Sequence, residues 1–364
     1  MKKIVIASLG RAHLLDCARE LKKQGYDVLY FCSTHPNNFE KYDFPVGGHS
    51  LIYYVAPLYF LVRLLPSNFT RRLYSFTLDL LVCIFMPKCD VFIAQSPNYQ
   101  FAIKYAKWRY KAITILDRGS SHVRIMNDFM LLFGGRQHTN RYLKRDEHEY
   151  HTVDYITLAS DFVYKGFIDK GFSINKLFVN PYGVSLYNFH PTLCSCEYDA
   201  ILVGQWSKRK GHELVVNTFK DTDYKILHVG SITDYPFPDY SNFKHIDSVP
   251  ENELINYYSK SRIFLFPSYE DGFGLVLLQA AACGLPIVCS SNSGGPTLKR
   301  MLTRKGYIYE MKELSKEELM AGFKIMYNIY EVNQLRNYAE EDIDKFSWKA
   351  YGDRYAKFLN AIGI

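Results

Sequence analysis

The sequence predicts an α/β protein with two domains, each built on a parallel β-sheet. Its 364 residues exceed what a single hydrophobic core usually supports, which favours two domains. Short apolar runs alternate with amphipathic stretches along both halves of the chain, and strands separated by helices form parallel sheets. Hydrophobic residues make up 48% of the chain, which is enough to build large buried sheets.

Composition and charge narrow the function. The net charge of +7 is too mild for a dedicated nucleic-acid-binding protein, but it suits an anionic small ligand or an acidic membrane surface. The cysteines include no C-x-x-C pair, and His148 and His151 lack the H-E-x-x-H spacing, so no metal site is predicted. Scattered thiols of this kind are typical of a cytosolic protein. No apolar run reaches transmembrane length, and the amino-terminal run is too short for a signal peptide.

The first domain opens with a βαβ unit. Residues 3–8 predict a buried strand, residues 11–24 an amphipathic helix, and Asp27–Cys32 a second strand. The turn before the helix lacks the pattern G-x-G-x-x-G, which argues against a dinucleotide-dependent dehydrogenase. Further strands and a helix of this half are predicted over residues 90–94, 112–116, 154–159 and 160–171.

Two apolar, aromatic segments lie within residues 51–87 and carry Arg63, Arg71 and Arg72. Pro57 is expected to break the first segment, as is a second proline at its end. Each segment is too short to cross a bilayer, but a basic amphipathic helix can lie on a bilayer surface. Ordinary core helices are the alternative. We predict partial membrane contact.

Polar candidates follow a strand of the first domain. Residues 112–116 predict this strand, and Asp117, Arg118 and His122 come just after it. Since open α/β sheets bind ligands past the carboxyl ends of their strands, these side chains are candidates for a binding site. A lone histidine is more often a structural hydrogen-bonding residue, and the sequence gives no partner for His122. The first domain is predicted to cover residues 1–187.

A basic loop follows the first strand of the second half, residues 200–203. The consecutive Lys208, Arg209 and Lys210 precede a predicted helix at His212–Phe219, so they form a candidate clamp for an anion. A solvated loop is the alternative, although the glycines that bracket the loop favour the clamp. Further elements are predicted over residues 225–229, 251–258, 314–337 and 346–359.

Residues 264–295 combine the features of an anion site. A strand, a loop at residues 268–272, a helix at residues 273–283 and a second strand follow one another, so backbone N–H groups and a helix N-terminus face one ligand. Asp271 and Gln279 are about two helical turns apart and can face one cleft. This arrangement suits a ligand with both hydroxyls and phosphates. A buried helix between two core strands is the alternative.

The chain resembles the large group-one family of retaining glycosyltransferases, which have the GT-B architecture of two Rossmann-like domains. The most specific stretch is PSYEDGFGLVLLQAAACGLPIV, which is similar to the family's P-S-x-x-E-G-F-G-L-P-x-L-E-A-M-A-C-G-x-P-V. Supporting matches are GQWSKRKGHEL, NPYGVSLYNFHP, AILVG and RAHLLDCARELKKQGYDV. The resemblance covers essentially the whole chain. It implies a second domain at residues 188–345 and a last helix, residues 346–364, that crosses back to the first domain.

The resemblance, carried over by position, implies a donor site in the second domain. Lys210 would hold the donor diphosphate, and the backbone of Phe273, Gly274 and Leu275 would contact phosphate and sugar. The donor-binding candidates are Gln205, Lys208, Arg209, Lys210, Gly230, Phe273, Gly274, Leu275 and Gln279.

Three positions depart from the family pattern. Asp271 stands where the family has the glutamate that contacts the donor sugar, and Gln279 where it has the glutamate that binds the ribose hydroxyls. Gln205 replaces an arginine, so Lys208 or Arg209 would have to supply the missing cation. These changes leave the identity of the donor open.

The catalytic candidates are Asp271, Lys210 and His122. Fixed cations and helix-terminal N–H groups would stabilise the charge that develops on the leaving diphosphate, so the chemistry is intelligible without a metal. The acceptor hydroxyl would come from the first-domain side. The acceptor-side candidates are Gly10, Arg11, His13, Asp117 and Arg118. The resemblance implies retention of the anomeric configuration.

We therefore predict a cytoplasmic glycosyltransferase that uses a UDP- or GDP-linked sugar and no cofactor. Its acceptor is expected to be a glycan or a lipid-linked intermediate of surface polysaccharide synthesis, with membrane contact through residues 51–87 on the inner face. One alternative is a catalytically degenerate scaffold that binds a partner. Another is a sugar-nucleotide epimerase, which needs no acceptor, and a nicotinamide-dependent oxidoreductase is more distant.

Overall fold

The computed structural model describes residues 1–134, 138–192, 194–303, 305–333 and 340–364. The helix predicted over residues 314–337 is therefore described only as far as residue 333, and its last four positions lie outside the described residues. The described chain forms two domains, each with one parallel sheet covered by helices. The predicted fold class is confirmed.

The first sheet has seven parallel strands. They are β1 Lys3–Ala7, β2 Asp27–Cys32, β3 Gly48–Ser50, β4 Val91–Gln95, β5 Ile113–Arg118, β6 Tyr155–Leu158 and β7 Leu177–Val179. Their order across the sheet is β3-β2-β1-β4-β5-β6-β7. The central strands are buried on both faces, as their continuous apolar runs require, and Ile4 of β1 pairs with Val28 on one side and Val91 on the other.

Eight α-helices belong to the described part of this half. They are α1 His13–Lys23, α2 Asn37–Lys41, α3 Ile52–Leu64, α4 Asn68–Phe85, α5 Gln100–Tyr105, α6 Val123–Leu132, α7 Asn140–Thr152 and α8 Asp161–Asp169. A π-helical turn, Ala106–Tyr110, continues α5. The prediction that Pro57 breaks the first apolar segment is wrong, because α3 runs through it. Pro57 has no N–H to donate to the Tyr53 carbonyl, four residues earlier. The helix tolerates this because the proline is near its amino end and Tyr53 is exposed to water.

The second sheet has six parallel strands. They are β8 Tyr198–Val203, β9 Ile226–Val229, β10 Phe243–Ile246, β11 Ser261–Phe266, β12 Ile287–Ser290 and β13 Ile308–Met311, in the order β10-β9-β8-β11-β12-β13. The helices after β8 are α9 His212–Phe219, α10 Leu254–Ser259, α11 Leu275–Ala282, α12 Gly295–Met301, α13 Lys316–Asn333, α14 Glu340–Lys345 and α15 Trp348–Ala361. In both sheets the strand order reverses at the first strand, which places ligand sites at the carboxyl edges.

The last helix crosses back to the first domain, as predicted. Helix α15 packs on α1 so closely that a Cβ added to Gly352 would lie 2.4 Å from the Cβ of Glu20. Arg354 of α15 donates hydrogen bonds to Asn180 Oδ1 at 2.9 Å and to the Pro181 carbonyl at 2.6 Å. The domain limits at residues 187 and 345 stay predictions.

Candidate active site

A cleft of about 1080 Å³ opens between the two domains. Arg11 and His13 at the start of α1 line it from the first domain, and Leu275 and Gln279 of α11 line it from the second. Trp348, which begins α15, closes part of its wall. The amino ends of α1 and α11 thus meet at one cleft, and the predicted acceptor and donor sides face each other across it.

The basic loop after β8 turns back onto the loop that precedes α11. The Arg209 guanidinium donates to the Glu270 carbonyl oxygen at 2.8 Å and to Glu270 Oε2 at 3.0 Å. The Lys210 ammonium forms an ion pair with Asp271 Oδ2, and these two side chains are only 17% and 16% exposed. Lys208, in contrast, is exposed. Two of the three basic side chains therefore converge on the loop, and one does not.

Asp271 also organises the start of α11. Its Oδ1 accepts a hydrogen bond from the Phe273 backbone N–H at 3.1 Å, so this N–H, predicted to contact the donor, is held by Asp271 here. Gly274 precedes α11 with φ +79°, and no side chain caps the helix. Its first N–H groups and the positive end of its dipole therefore remain available to an anion. Leu275, the first residue of α11, lies in the cleft.

The other predicted donor residues take different positions. Gln279 is buried at the cleft wall, where its Oε1 accepts a hydrogen bond from the Tyr258 hydroxyl at 3.1 Å. Gln205 is exposed on the loop after β8. Gly230 is required by the backbone, since it has φ +147° and a Cβ there would lie 1.9 Å from the Gly204 carbonyl oxygen. Of the predicted donor residues only Leu275 and Gln279 line the cleft in the described structure; those that do not are Gln205, Lys208, Arg209, Lys210, Gly230, Phe273 and Gly274.

His13, one of the residues of the first-domain wall, is held by a buried carboxylate. His13 Nε2 lies 2.7 Å from Asp117 Oδ2, and Asp117 Oδ1 accepts a hydrogen bond from the Thr157 hydroxyl at 3.1 Å. The His13 ring also packs on Tyr182, with ring centroids 4.2 Å apart. Asp117, at the carboxyl end of β5, is thereby buried and fixes the ring at the cleft wall. Gly10 does not line the cleft, and its carbonyl oxygen accepts hydrogen bonds from the Ser8 and Tyr30 hydroxyls at 2.7 and 3.2 Å.

Arg118 and His122 are not brought to the cleft. Arg118 is buried and donates from Nε and Nη2 to the Ser121 carbonyl at 3.2 and 2.8 Å, so it braces the turn after β5. The His122 ring is buried against aromatic rings, including Tyr150 and Phe167, and its Nδ1 accepts the Arg124 N–H at the start of α6. Burial lowers the pKa of His122 to about 4, so the ring is neutral at pH 7. The roles predicted for these two residues have no geometric support.

Residues that sequence reasoning missed join the two domains. Ser121 Oγ donates to Glu270 Oε1 at 2.5 Å, and Ser160 Oγ donates to the Gly272 carbonyl at 2.5 Å. A Cβ added to Gly272 would lie 2.0 Å from the Gly119 carbonyl oxygen, so only glycine fits there. The position of Glu270 beside Asp271 in the motif could have marked it as a site residue. No feature of the neighbouring sequence indicates that its side chain faces the other domain.

These contacts define the chemistry that the cleft can support. On the second-domain side Leu275 and Gln279 of the uncapped α11 line the cleft, and Lys210 lies behind them, paired with Asp271 on the loop before this helix. On the first-domain side the His13 ring, held by Asp117, lines it. Such a site can bind a diphosphate and stabilise the charge that develops on it as a leaving group. Among the described residues no three His, Cys, Asp or Glu side chains converge as metal ligands would. A reaction without a metal cofactor stays a prediction.

Comparison with known proteins identifies the second half of the chain. Residues 195–342 match the sequence pattern of the family described as "Glycosyl transferases group 1". The second domain is a group 1 glycosyltransferase domain. The O-antigen chain mannosyltransferase B of Escherichia coli is 40% identical over 53 residues, which are 15% of this chain and 14% of that protein. The first three curated relatives are matched over only 14%, 44% and 26% of their own lengths.

Solved structures extend the similarity to the whole fold around the group 1 domain. Anabaena Alr3699/HepE, in complex with UDP and glucose, has a TM-score of 0.64 over 99% of this chain and 100% of that chain, with 13% identity. The UDP-GlcNAc 2-epimerase of Methanocaldococcus jannaschii has a TM-score of 0.54 over 99% of both chains, with 14% identity. At such identities the similarity establishes the GT-B fold alone.

Proposed function

We propose that this protein is a glycosyltransferase that moves a sugar from a nucleoside-diphosphate donor to a hydroxyl of a glycan or lipid-linked acceptor. The observation that carries the proposal is the ion pair between Lys210, on the basic loop after β8, and Asp271, on the loop that leads into the uncapped α11 of the group 1 domain. An ammonium and a helix N-terminus are the groups that a diphosphate requires.

Donor binding would exchange one ion pair for another. The diphosphate would draw Lys210 away from Asp271 and lie against the amino end of α11, next to Leu275. Asp271 would then be free to accept a hydroxyl of the donor sugar, and Gln279 would hydrogen-bond to the ribose. Arg209 is held by Glu270, so it would contribute a positive field rather than a direct contact.

In the reaction, the bond between the anomeric carbon and the phosphate oxygen breaks, and its electrons go to the leaving diphosphate. Lys210 and the amino end of α11 stabilise this charge. The acceptor hydroxyl attacks from the first-domain side, where Asp117 holds His13 ready to orient it. Its proton passes to the leaving phosphate oxygen, so that attack and departure share one face and the anomeric configuration is retained.

The names of similar proteins support a place in surface polysaccharide synthesis. The E. coli relative is named as an O-antigen chain mannosyltransferase, and the Anabaena structure holds UDP with glucose. We favour UDP or GDP as the nucleotide and no metal or other cofactor. We propose that the reaction takes place at the cytoplasmic face of a membrane, where lipid-linked glycan intermediates are extended.

The two alternatives predict different behaviour with nucleotides. A degenerate scaffold is suggested by the replacements at Gln205, Asp271 and Gln279, and it would bind neither UDP nor GDP. An epimerase would convert its sugar nucleotide without an acceptor. A known epimerase has a similar fold, so the experiment must also distinguish this second alternative.

Thermal unfolding with UDP, GDP and their sugar conjugates tests the proposal. A ligand at a hundred times its Kd stabilises the folded state by about 2.7 kcal/mol, which raises the Tm measurably. We expect one nucleotide series to raise the Tm of the wild type and not of Lys210→Ala. The matched control is Lys208→Ala, on the same turn but exposed, which should respond like the wild type. The proposal fails if no nucleotide shifts the Tm, or if the donor is consumed without any acceptor.

A further inference from the structure

We propose that helices α3 and α4, with the π-helical turn after α5, form a face that docks on an anionic lipid bilayer. We call this set of elements the docking face. The inference rests on exposure and charge and does not depend on the proposed reaction. It extends the predicted membrane contact from residues 51–87 to the π-helical turn and identifies the part of the surface that enters the lipid.

Apolar exposure is concentrated on the docking face. Among the described residues 23 large apolar side chains are exposed, and 13 of them lie between residues 53 and 108. Leu64 is 78% exposed, Phe69 73% and Trp108 71%. Exposed apolar residues scattered singly need no partner, but a contiguous group of this size marks an interaction surface.

The two helices bury little of their apolar surface. Val55 is the only buried residue of α3, although α3 is apolar and aromatic except for Arg63. In α4 the buried positions are Thr70, Leu78, Asp79 and Val82, so Phe69, Phe76 and Ile84 point outward. A helix that is apolar nearly all round needs an apolar environment on both sides, and the first domain provides only one.

Helices α3 and α4 pack together as a hairpin, and its tip, residues 63–69, projects beyond the sheet. The Tyr74 hydroxyl donates to Ser33 Oγ at 2.6 Å, just past β2, and Ser75 Oγ donates to Asn98 Oδ1 at 3.1 Å, just past β4. The part of α4 before these anchors therefore extends past the carboxyl edge. All residues from 63 to 69 are exposed there. Since the cleft lies at the same edge, the tip projects on the side where an acceptor would enter.

Contacts between the elements make the docking face continuous. The rings of Phe76 in α4 and Phe101 in α5 have centroids 5.5 Å apart. The Tyr110 hydroxyl, at the end of the π-helical turn, donates to the Met86 carbonyl at 3.0 Å, directly after α4. The π-helical turn that carries Trp108 is therefore tied to the carboxyl end of α4.

Charge selects the partner. Arg63, Arg71 and Arg72 are exposed around the hairpin tip, and Arg109 is exposed beside Trp108. Between residues 51 and 88 the sequence contains one acidic residue, Asp79, and its buried carboxylate accepts the N–H groups of Phe101 and Ala102 at 2.8 Å each. The docking face is thus positive and apolar together, which suits anionic lipid headgroups over an acyl layer. A second copy would bring like charges together.

The mode of contact is also constrained. Among the described residues no helix is long and apolar enough to cross a membrane. The docking face would therefore lie in the headgroup region, with Leu64 and Phe69 inserted most deeply. If the proposed function holds, this orientation presents the cleft to the headgroup of a lipid-linked acceptor.

Sedimentation with lipid vesicles tests the inference without any nucleotide. We expect the wild type to bind vesicles of phosphatidylcholine with phosphatidylglycerol, to bind phosphatidylcholine alone at least tenfold more weakly, and to be released by high salt. The double variant L64S/F69S should lose at least tenfold in affinity. R71Q/R72Q should lose the preference for phosphatidylglycerol. The matched control is I174S/I325S, which removes exposed apolar side chains far from the docking face.

Several results would overturn the inference. The inference fails if the wild type does not bind the anionic vesicles, or if L64S/F69S binds them with wild-type affinity. It also fails if the control I174S/I325S loses as much affinity as L64S/F69S. A dimer in sedimentation equilibrium that L64S/F69S disrupts, without vesicle binding, would assign the docking face to a second copy instead. Unchanged thermal unfolding of the variants shows that they fold. Nucleotide binding, measured separately, distinguishes failure here from failure of the proposed function.

Discussion

Ser121 Oγ of the first domain donates a hydrogen bond to Glu270 Oε1 of the second domain at 2.5 Å. The other oxygen of the same carboxylate holds the Arg209 guanidinium at 3.0 Å. Glu270 is buried, so one carboxylate connects the turn after β5, the loop before α11 and the basic loop after β8. The position of the donor-side loop is thereby tied to the first domain.

Ser121→Ala should loosen this connection. The substitution leaves a buried carboxylate oxygen without its donor, and such a loss costs about 1–3 kcal/mol. We expect the free energy of unfolding in urea to fall by this amount, and the Km for donor to rise because the loop is less fixed. The neighbouring Ser120→Ala serves as the control. Equal effects of the two substitutions would show that the Ser121–Glu270 contact carries no special energy.

Lys210→Ala should abolish most of the transfer. Removing one group that stabilises a developing charge typically costs ~10²–10³ in rate. Turnover of the sugar nucleotide, followed by product chromatography, measures the loss. Lys208→Ala, the exposed neighbour, should retain turnover within a factor of about three. A Lys210→Ala enzyme with wild-type turnover would remove Lys210 from the mechanism.

Asp271→Asn should separate binding from catalysis. The carboxylate competes with the diphosphate for Lys210, and a partly exposed ion pair is worth about 0.2–1 kcal/mol. The variant should therefore bind free UDP or GDP up to about fivefold more tightly in calorimetry, while its turnover falls. Weaker binding of the free nucleotide would mean that Asp271 helps to hold it rather than competing with it.

His13→Ala should affect the acceptor rather than the donor. The His13–Asp117 pair faces the cleft from the first domain, and a lost hydrogen bond of about 1.4 kcal/mol reduces kcat/Km tenfold. We expect this reduction for the acceptor, with the Km for donor unchanged. Asp117→Asn should give a smaller loss, since the amide can still hydrogen-bond to the ring. Equal losses for donor and acceptor would contradict an acceptor-side role.

Glu149→Gln should change how stability depends on pH. Burial raises the pKa of Glu149 from 4.5 to about 8, and the Ser96 hydroxyl donates to it at 3.0 Å. Between these pH values the folded state holds a proton that the unfolded state releases, so this residue makes stability fall as pH rises. The neutral glutamine should remove that slope in urea unfolding between pH 5 and 8. An unchanged slope would show that Glu149 titrates normally.

The sequence pattern predicted the interior of both sheets and missed their edges. Strands β3, β7, β10 and β13 were not predicted, and they are the outer strands of the two sheets. Central strands are buried on both faces and so read as continuous apolar runs. Edge strands such as Gly48–Ser50 are short and partly polar, and only pairing with a neighbour makes them strands.

The candidate site divides in the same way. The glycine loop, the basic residues and the helix at Leu275–Ala282 follow from local chemistry and motif spacing, so they were predicted. The pairing of Lys210 with Asp271, and of Arg209 with Glu270, could not be predicted. The partners are 61 residues apart in the chain and meet only because β8 and β11 lie side by side. His122 lies in a polar cluster of the sequence, yet its ring enters the aromatic core.

Two α/β domains and a motif similar to that of group 1 glycosyltransferases are predictable from the amino-acid sequence, because periodicity and motif spacing are local properties of the chain. Which candidate residues reach the cleft depends on the packing of distant segments. This packing sets His13 against Asp117, turns His122 inward and leaves the apolar side of α3 and α4 uncovered. Burial and pairing between distant segments depend on how the whole chain packs, which no single stretch of sequence contains.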